Sequence, residues 1–298
     1  MNGIMNVRKE KGFTSFDVVA KLRGILKMKK IGHTGTLDPD AEGVLPVCIG
    51  KATKVCGLLT DKDKEYRAVM LLGKVTDTQD ITGTVLSEKQ VSVSKGEAEK
   101  CIMSFVGQYH QIPPMYSALK VNGRKLCDLA REGIEVERKP RPVYIHDIII
   151  EEIELPRVTM RIHCSKGTYI RTLCQDIGER LGCGACMESL VRTRVADFKL
   201  EDAKTLGEIE AVMNKQELES ILYPIDSVFM ELQEAVIRRQ YNSLLYNGNK
   251  LAVSCCVDWD SGREGKRIRV YDEDGKFIGI YQHVKEELLL KPIKMFGS

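Results

Sequence analysis

Apolar positions along the chain fall into alternating and helical periods that predict strands punctuated by short helices. Thr14, Ser15 and Asp17 form a helix start, and Val19, Leu22 and Leu26 then recur on one face, so a short amphipathic helix with basic flanks is expected. Gly32–Gly50 contains Gly35, Pro39, Gly43 and Pro46; these breakers predict an ordered loop with a strand only at Val47–Ile49. Lys64–Gly73 reads as a strand with turn chemistry at Thr82-Gly83 after it, and Ser94 as the cap of a helix running to about Phe105. Pro142–Glu154 and Arg157–Cys164, rich in Val and Ile, predict two antiparallel strands reversing at Leu155-Pro156.

Ile170, Leu173, Ile177 and Leu181 mark an amphipathic helix that closes at Gly182, where glycine can take the left-handed conformation. Leu190–Leu200 reads as a further strand. Gly207–Glu234, acidic with Lys215 as its only positive charge, predicts a solvated helix and connector. From Ala235 onward, short strand signals and turns such as Asp274-Gly275 predict a small β domain.

Composition narrows the class by exclusion. The 298 residues exceed one ordinary domain, so a main core and a small accessory domain are expected. A charged fraction of 29% and a hydrophobic fraction of 43% exclude a disordered chain. Met1–Thr14 carries Arg8, Lys9 and Lys11 and no apolar run, unlike a secretory signal, and no stretch has the roughly eighteen apolar residues of a spanning helix. A cytoplasmic chain without a membrane partner is expected. Its ten cysteines should then be reduced thiols, many of them buried. Cys183-Gly184-Ala185-Cys186 has a spacing that suits zinc or a redox pair, but no second pair completes a four-ligand site, so no metal is expected there.

The net charge of +3 conceals local asymmetry. Met1–Gly35 carries Arg8, Lys9, Lys11, Lys21, Arg23, Lys27, Lys29 and Lys30 against Glu10 and Asp17, which makes it a polyanion-binding candidate. Lys120–Arg141 adds Arg124, Lys125, Arg131, Arg138 and Lys139, diluted by Asp128, Glu132, Glu135 and Glu137, and reads equally well as a solvated face.

Asp38 precedes Pro39, whose ring confines the aspartate backbone to the extended region and so helps to aim the carboxylate. By spacing alone an Asx-type turn explains the pair as well. A second constellation, Cys164-Ser165-Lys166-Gly167-Thr168-Tyr169-Ile170-Arg171, lies where a strand hands over to a helix. Arg171 in the first helical turn opposes the positive end of the helix dipole, so an anionic partner is expected, either Asp38 through a bidentate pair that keeps it ionised, or Asp176, or phosphate. Gly43–Gly50-Lys51 fails as a phosphate-binding loop, because its glycines are too far apart and Ala52 stands where serine or threonine is required. No nucleophile-elbow motif signals a Ser-His-Asp arrangement.

Lys11–Ser15 and the run Gly32-His33-Thr34-Gly35-Thr36-Leu37-Asp38-Pro39-Asp40-Ala41-Glu42-Gly43-Val44-Leu45-Pro46-Val47 closely resemble the first two motifs of the bacterial TruB family of tRNA pseudouridine synthases. Lys64-Glu65-Tyr66, Pro113–Lys120 and Ser165–Thr172 continue the resemblance in the family's order, over roughly Lys11–Arg194 and more weakly to the C-terminus. The resemblance implies an α+β pseudouridine synthase fold: a central mixed, mostly antiparallel sheet flanked by helices over residues 1–234, with RNA-binding insertions, then a small β-rich PUA-like RNA-binding domain over 235–298. It also implies isomerisation of the uridine at position 55, in the TΨC arm of tRNA, by a monomer that needs no cofactor, metal, guide RNA or protein partner.

Carried over by motif, Asp38 is the catalytic aspartate. Tyr66 stacks on the target base, Tyr169 and Arg171 line the pocket with Arg171 paired to Asp38, and Leu190 packs beside the base. His33 helps to fill the space left by the flipped nucleotides, and Lys11, Lys29, Lys30, Lys120, Arg124 and Arg141 contact the RNA backbone. These residue types suit the reaction, since one carboxylate can act at the sugar or as a base, whereas a second one that activates water would be harmful. An aromatic and apolar wall holds the detached base and excludes water. Val191-Arg192-Thr193-Arg194 fits a strand facing the pocket. Two other readings share the motifs or the basic surface: a guide-RNA-dependent synthase of the dyskerin type, disfavoured by the lack of long basic tails, and an RNA chaperone that refolds tRNA, alone or alongside catalysis.

Overall fold

Thr14 caps the first helix through a reciprocal pair of bonds: its hydroxyl accepts from the Asp17 backbone and the Asp17 carboxylate accepts from the Thr14 backbone. That helix, α1 (Ser15–Leu26), buries Val18, Val19, Leu22 and Leu26. The computed structural model of the chain describes residues 1–297. Before α1 runs β1 (Gly3–Lys9), and after it come β2 (Ile31–His33), β3 (Glu42–Ile49), a short α2 (Cys56–Thr60) and β4 (Lys64–Leu72). A small hairpin of β5 (Lys74–Thr76) and β6 (Val85–Glu88) precedes α3 (Lys95–Met103), which Ser94 caps with Glu97. There follow β7 (Gly107–Gln111), the hairpin β8 (Lys120–Val121) and β9 (Arg124–Lys125), and α4 (Leu126–Arg131).

The long strands β10 (Arg141–Glu154) and β11 (Arg157–Cys164) pair antiparallel across Leu155-Pro156, as expected. Next come α5 (Ile170–Arg180), β12 (Ala185–Val195), β13 (Phe198–Lys199), α6 (Leu206–Asn214) and β14 (Leu222–Tyr223). The main sheet has the order β14-β1-β3-β12-β4-β11-β10-β7, with β2 attached to β3 and β13 to β12. Among the described residues of this sheet only β12 and β3 run parallel, through Val191↔Glu42 and Arg192↔Gly43, so the sheet is mixed and mostly antiparallel.

Three segments depart from expectation. Gly32–Gly50 is mostly strand, with the loop confined to 34–41, because β3 is buried nearly throughout and Gly43 supplies a conformation that closes it onto β12. Gly43 has φ +114°, and a β-carbon there would lie 2.2 Å from the Arg192 carbonyl oxygen. The strand expected at Leu190–Leu200 begins at Ala185 and breaks at Ala196, whose φ of 49° turns the chain into β13. The acidic segment 207–234 is not merely solvated: Ile209 and Leu218 join the α1 core, Phe229 is buried, and β14 extends the main sheet along β1.

One apolar core lies between the middle of the sheet and α3 and α5, containing Ala68, Met70, Ile145, Ile162, Leu173 and Ile177; a second packs β1 and β3 against α1 and α6. Beyond residue 233, β15 (Glu234–Ile237), α7 (Asn242–Tyr246), β16 (Leu251–Ala252), β17 (Arg267–Asp272), β18 (Phe277–Val284) and β19 (Leu289–Met295) build a five-stranded sheet. It has its own core, and Ile280 and Phe296 also pack with Ile4, Val44 and Phe198 of the main body. Among the described residues no helix is long and apolar enough to cross a membrane.

Candidate active site

Lys9 shapes the loop that carries Asp38. It ends β1 on the same face as Met5 and Val7, is fully buried, and donates to the carbonyls of Glu10, Pro39 and Ala41 at 3.1, 3.0 and 2.6 Å. The sequence reading counted Lys9 in a polyanion-binding segment; burial corrects that, since its ammonium is spent on the loop. Burial also pushes its pKa down to about 8, against the pull of Asp38, Asp40 and Glu42. The Leu37 backbone donates to Ser15 Oγ at 2.9 Å and the Gly12 backbone to Pro39 oxygen at 2.9 Å, which ties the loop to the start of α1.

Arg171, in the first turn of α5, meets Asp38 as the helix-dipole argument requires. Its Nε lies 3.0 Å from Asp38 Oδ2 and its Nη2 donates to Oδ1 at 3.3 Å, a side-on bidentate pair. Asp176 and phosphate are thereby not needed as partners. Arg171 is 5% exposed and also donates to the Thr78 carbonyl at 3.0 Å and the Tyr116 carbonyl at 2.9 Å, while Asp80 stands 3.7 Å from Nη1. One guanidinium thus gathers three segments that are remote in sequence.

Asp38 differs from Arg171 in keeping 39% of its side-chain surface open, so it lies at the mouth of the site. Burial raises its pKa above the ordinary carboxylate range, opposed by Arg171. Desolvation therefore outweighs the arginine, which works in the expected direction by favouring the ionised carboxylate.

Tyr66 on β4 is 9% exposed and stands opposite Arg192 of β12. Leu190, two residues before Arg192, faces the same side and is buried with Leu37, Ala41, Tyr66 and Ala68. Arg192 is 1% exposed, donates from Nε to the Val44 carbonyl at 2.7 Å and from Nη1 to Thr36 oxygen at 3.4 Å, and leaves Nη2 without a hydrogen-bond partner. No carboxylate pairs with it among the described residues. Its positive charge opposes the rise that burial imposes on the Tyr66 phenol.

The other expected residues are distributed unevenly. Tyr169 precedes α5 and is held by Gln111, which accepts from its backbone nitrogen at 2.8 Å and donates to its carbonyl at 2.9 Å. His33 is half-buried at the end of β2, with Nδ1 3.2 Å from the Gly35 carbonyl, and burial lowers its pKa. Lys11, Lys29, Lys30, Lys120, Arg124 and Arg141 are all exposed, and Arg124 is paired with Glu132. Cys183 and Cys186 are both buried and free.

Thr78 and Asp80 are contributors that the sequence does not single out; Tyr116 is expected only as part of a motif, Arg192 only as part of a strand facing the pocket, and Lys9 as a surface cation. The run Thr76-Asp77-Thr78-Gln79-Asp80 directly after a strand was the available signal. Its side chains bond one another, with Thr78 Oγ1 donating to Asp80 at 2.9 Å, and Gln79 accepts from Thr172 at 2.7 Å beside Arg171.

The arrangement is one half-open carboxylate held by a buried arginine, beside a tyrosine and an apolar wall. The family model of the TruB pseudouridylate synthase N-terminal domain matches residues 23–170, and that of the tRNA pseudouridylate synthase B C-terminal domain matches 171–230. The tRNA pseudouridine synthase B of Lachnoclostridium phytofermentans is 54% identical over 99% of this chain and 100% of its own length, and that of Alkaliphilus oremlandii 47% identical over 94% and 92%. Among solved structures, a chain of a Cbf5-Nop10-Gar1 complex is similar with a TM-score of 0.73 and 28% identity, covering 98% of this chain and 84% of that one. A chain of an H/ACA RNP bound to a substrate RNA containing 2′-deoxyuridine gives 0.73 and 25%, covering 99% and 85%. With its catalytic-loop motif, its sheet and its full-length relatives in agreement, the chain belongs to the TruB family of pseudouridine synthases and is an RNA-modifying enzyme.

Proposed function

We propose that this enzyme converts the uridine at position 55, in the TΨC arm of tRNA, to pseudouridine, with Asp38 as its essential carboxylate and without a guide RNA, a protein partner, a metal or a cofactor. The single observation that carries the reading is the Asp38–Arg171 pair: a carboxylate at the mouth of a largely apolar site, bidentate to an arginine buried behind it. The full-length relatives named tRNA pseudouridine synthase B support tRNA as the substrate.

In the reaction the bond from ribose C1′ to base N1 breaks, the base turns, and C1′ joins C5; the C5 proton is lost and N1 is protonated, so the change is an isomerisation. Asp38 either attacks C1′ or takes a proton from the sugar or C5, and both roles require its ionised form. Arg171 fixes the direction of the carboxylate and opposes its protonation. Tyr66 offers a stacking face, Tyr169 and Leu190 close the pocket around the base, and His33 fills the gap left by the flipped nucleotides. Lys11, Lys29, Lys30, Lys120, Arg124 and Arg141 meet backbone phosphates, and residues 235–298 add a second RNA-binding surface to the synthase body of 1–234.

The test is conversion of an unmodified tRNA transcript by the purified monomer, with pseudouridine mapped by position. Wild type should modify position 55 unaided, and Asp38→Asn should bind the transcript without converting it. Pseudouridine made by Asp38→Asn would overturn the assignment of the carboxylate. Conversion only with added guide RNA would favour the guided mode suggested by the neighbours in H/ACA assemblies.

A further inference from the structure

A bulge in β10 places two histidines and an aspartate together on the face of the sheet that the reaction does not use. Ile145 pairs with Cys164 and Asp147 with His163, so His146 is an extra residue inserted into β10. Burial records the insertion: Ile145 and Ile148 both point into the core, three positions apart, and His146 and Asp147 both point outward. His163 lies between Ile162 and Cys164, which are buried in the core that contains Tyr66, and therefore faces the opposite side. The bulge thus re-aims His146 onto His163, with ring centroids 4.6 Å apart. Asp63, which directly precedes β4, completes the group, with Oδ2 3.1 Å from His146 Nε2.

We propose that Asp63, His146 and His163 form a binding site for a borderline divalent metal ion, zinc foremost, that clips the start of β4 to the β10–β11 hairpin. One potential ligand atom from each residue lies within 4.8 Å of the others. Tetrahedral zinc with bonds of 2.0–2.1 Å separates its ligand atoms by about 3.3 Å. The His146–Asp63 distance already matches that edge. His163, whose ring lies 4.6 Å from that of His146, must close the remaining gap from within 4.8 Å. Two imidazoles and one carboxylate select zinc, cobalt or nickel over calcium and magnesium, which require oxygen ligands. Three protein ligands leave the fourth position to solvent, which the exposure of Asp63 and His146 permits.

The position of the site makes its role separable from catalysis. A bound ion would tie Asp63, three residues before Tyr66, to strands that the core already holds, and would stabilise the sheet without touching the substrate.

Zinc added alone to the full chain, with binding read by competition against a chromophoric chelator, should show one equivalent more in wild type than in His163→Ala or in the exposed, conservative Asp63→Asn. The ten cysteines are common to all three proteins and cancel in that difference. At about a hundredfold excess over Kd, zinc should raise the wild-type Tm by about 5 °C and leave the variants unmoved, with RNA conversion by the zinc-free variants at the wild-type rate. Zinc-soaked crystals should show an anomalous peak between the three side chains. Equal stoichiometry in wild type and both variants, or an anomalous peak only at thiols, would overturn the site.

Discussion

The two buried arginines of the site, Arg171 and Arg192, are solved differently by the fold. Arg171 is surrounded by Asp38 and Asp80 and by the carbonyls of Thr78 and Tyr116, so nearly every donor has an acceptor and its charge has a counter-charge. Arg192, with similar burial, has two carbonyls, an orphaned Nη2 and no carboxylate. The first is an ion pair half open to solvent at its acidic end, where protonation and substrate can act on it. The second is a positive charge behind the site, against which burial works, and it biases the potential at Tyr66 and under the 34–37 loop. Keeping a charge in such a place without a partner costs stability. The comparison therefore separates an arginine that orients a reacting group from one that sets a background field.

The most severe way to break the comparison is to remove Arg171. Arg171→Met leaves Asp38 and Asp80 without their cation, so it should cost about 2–4 kcal/mol of stability, the penalty for stripping one partner from a buried pair reduced by the open end of Asp38. Conversion should fall by about a hundredfold or more, as when one preorganised electrostatic group is lost. The pH profile carries the sign. Asp38 already lies above the ordinary carboxylate range because of burial, and Arg171 is what restrains it. Removing that restraint raises the pKa further, so the acid limb of conversion should move to higher pH. A limb that stayed in place or moved down would mean that Arg171 does not govern the charge of Asp38.

Arg192→Met tests the other half. With no carboxylate to strand, the loss should stay under about 1.5 kcal/mol, well below that of Arg171→Met, because only two carbonyls lose a donor and the desolvation penalty is relieved. The phenol of Tyr66 should become harder to ionise, which ultraviolet titration reads directly. Equal destabilisation by the two substitutions would erase the distinction. Tyr66→Phe sharpens it: if Tyr66 serves as a stacking face alone, conversion should fall by less than about tenfold, since base stacking tolerates the change. A much larger loss would assign chemistry to the hydroxyl and give Arg192 a reason to be there.

Of these two arginines, only Arg171 was legible in the sequence. A cation in the first turn of a helix calls for an anion, and Asp38 supplied it from a motif of fixed order. Arg192 sits in a strand, where the face of a residue depends on unbroken alternation, and β12 has register shifts between Met187 and Ser189 and between Arg192 and Arg194. Alternation could not be carried through them. Gly43 and Pro46 hid β3 for a related reason: both look like breakers, yet the close approach of Arg192 to Gly43 is what joins the two strands. Lys9 shares one face with the buried Met5 and Val7, a signal of its burial that its charge masks. The helices carried their own signals, with Thr14–Asp17 and Ser94–Glu97 forming the caps that their spacing announces.

The contrast between paired and unpaired cations recurs, with smaller effects, on the proposed RNA surface. Lys120 pairs with Lys125 and Arg124 with Val121 across the β8–β9 hairpin, but Arg124 is held by Glu132 while Lys120 has no carboxylate partner among the described residues. An unpaired lysine is free to displace one counterion from phosphate, so Lys120→Ala should weaken tRNA binding and flatten the logarithmic salt slope by about 0.9. Glu132→Gln should do the reverse, freeing Arg124 for phosphate, tightening binding at low salt and steepening the slope by up to a similar amount. Both side chains of the Arg124–Glu132 pair are about half exposed, so breaking it should leave the stability of the fold nearly unchanged. Binding measured across a salt series decides between them: opposite slopes for the two substitutions identify this hairpin as part of the RNA surface, and identical wild-type slopes in both would remove it.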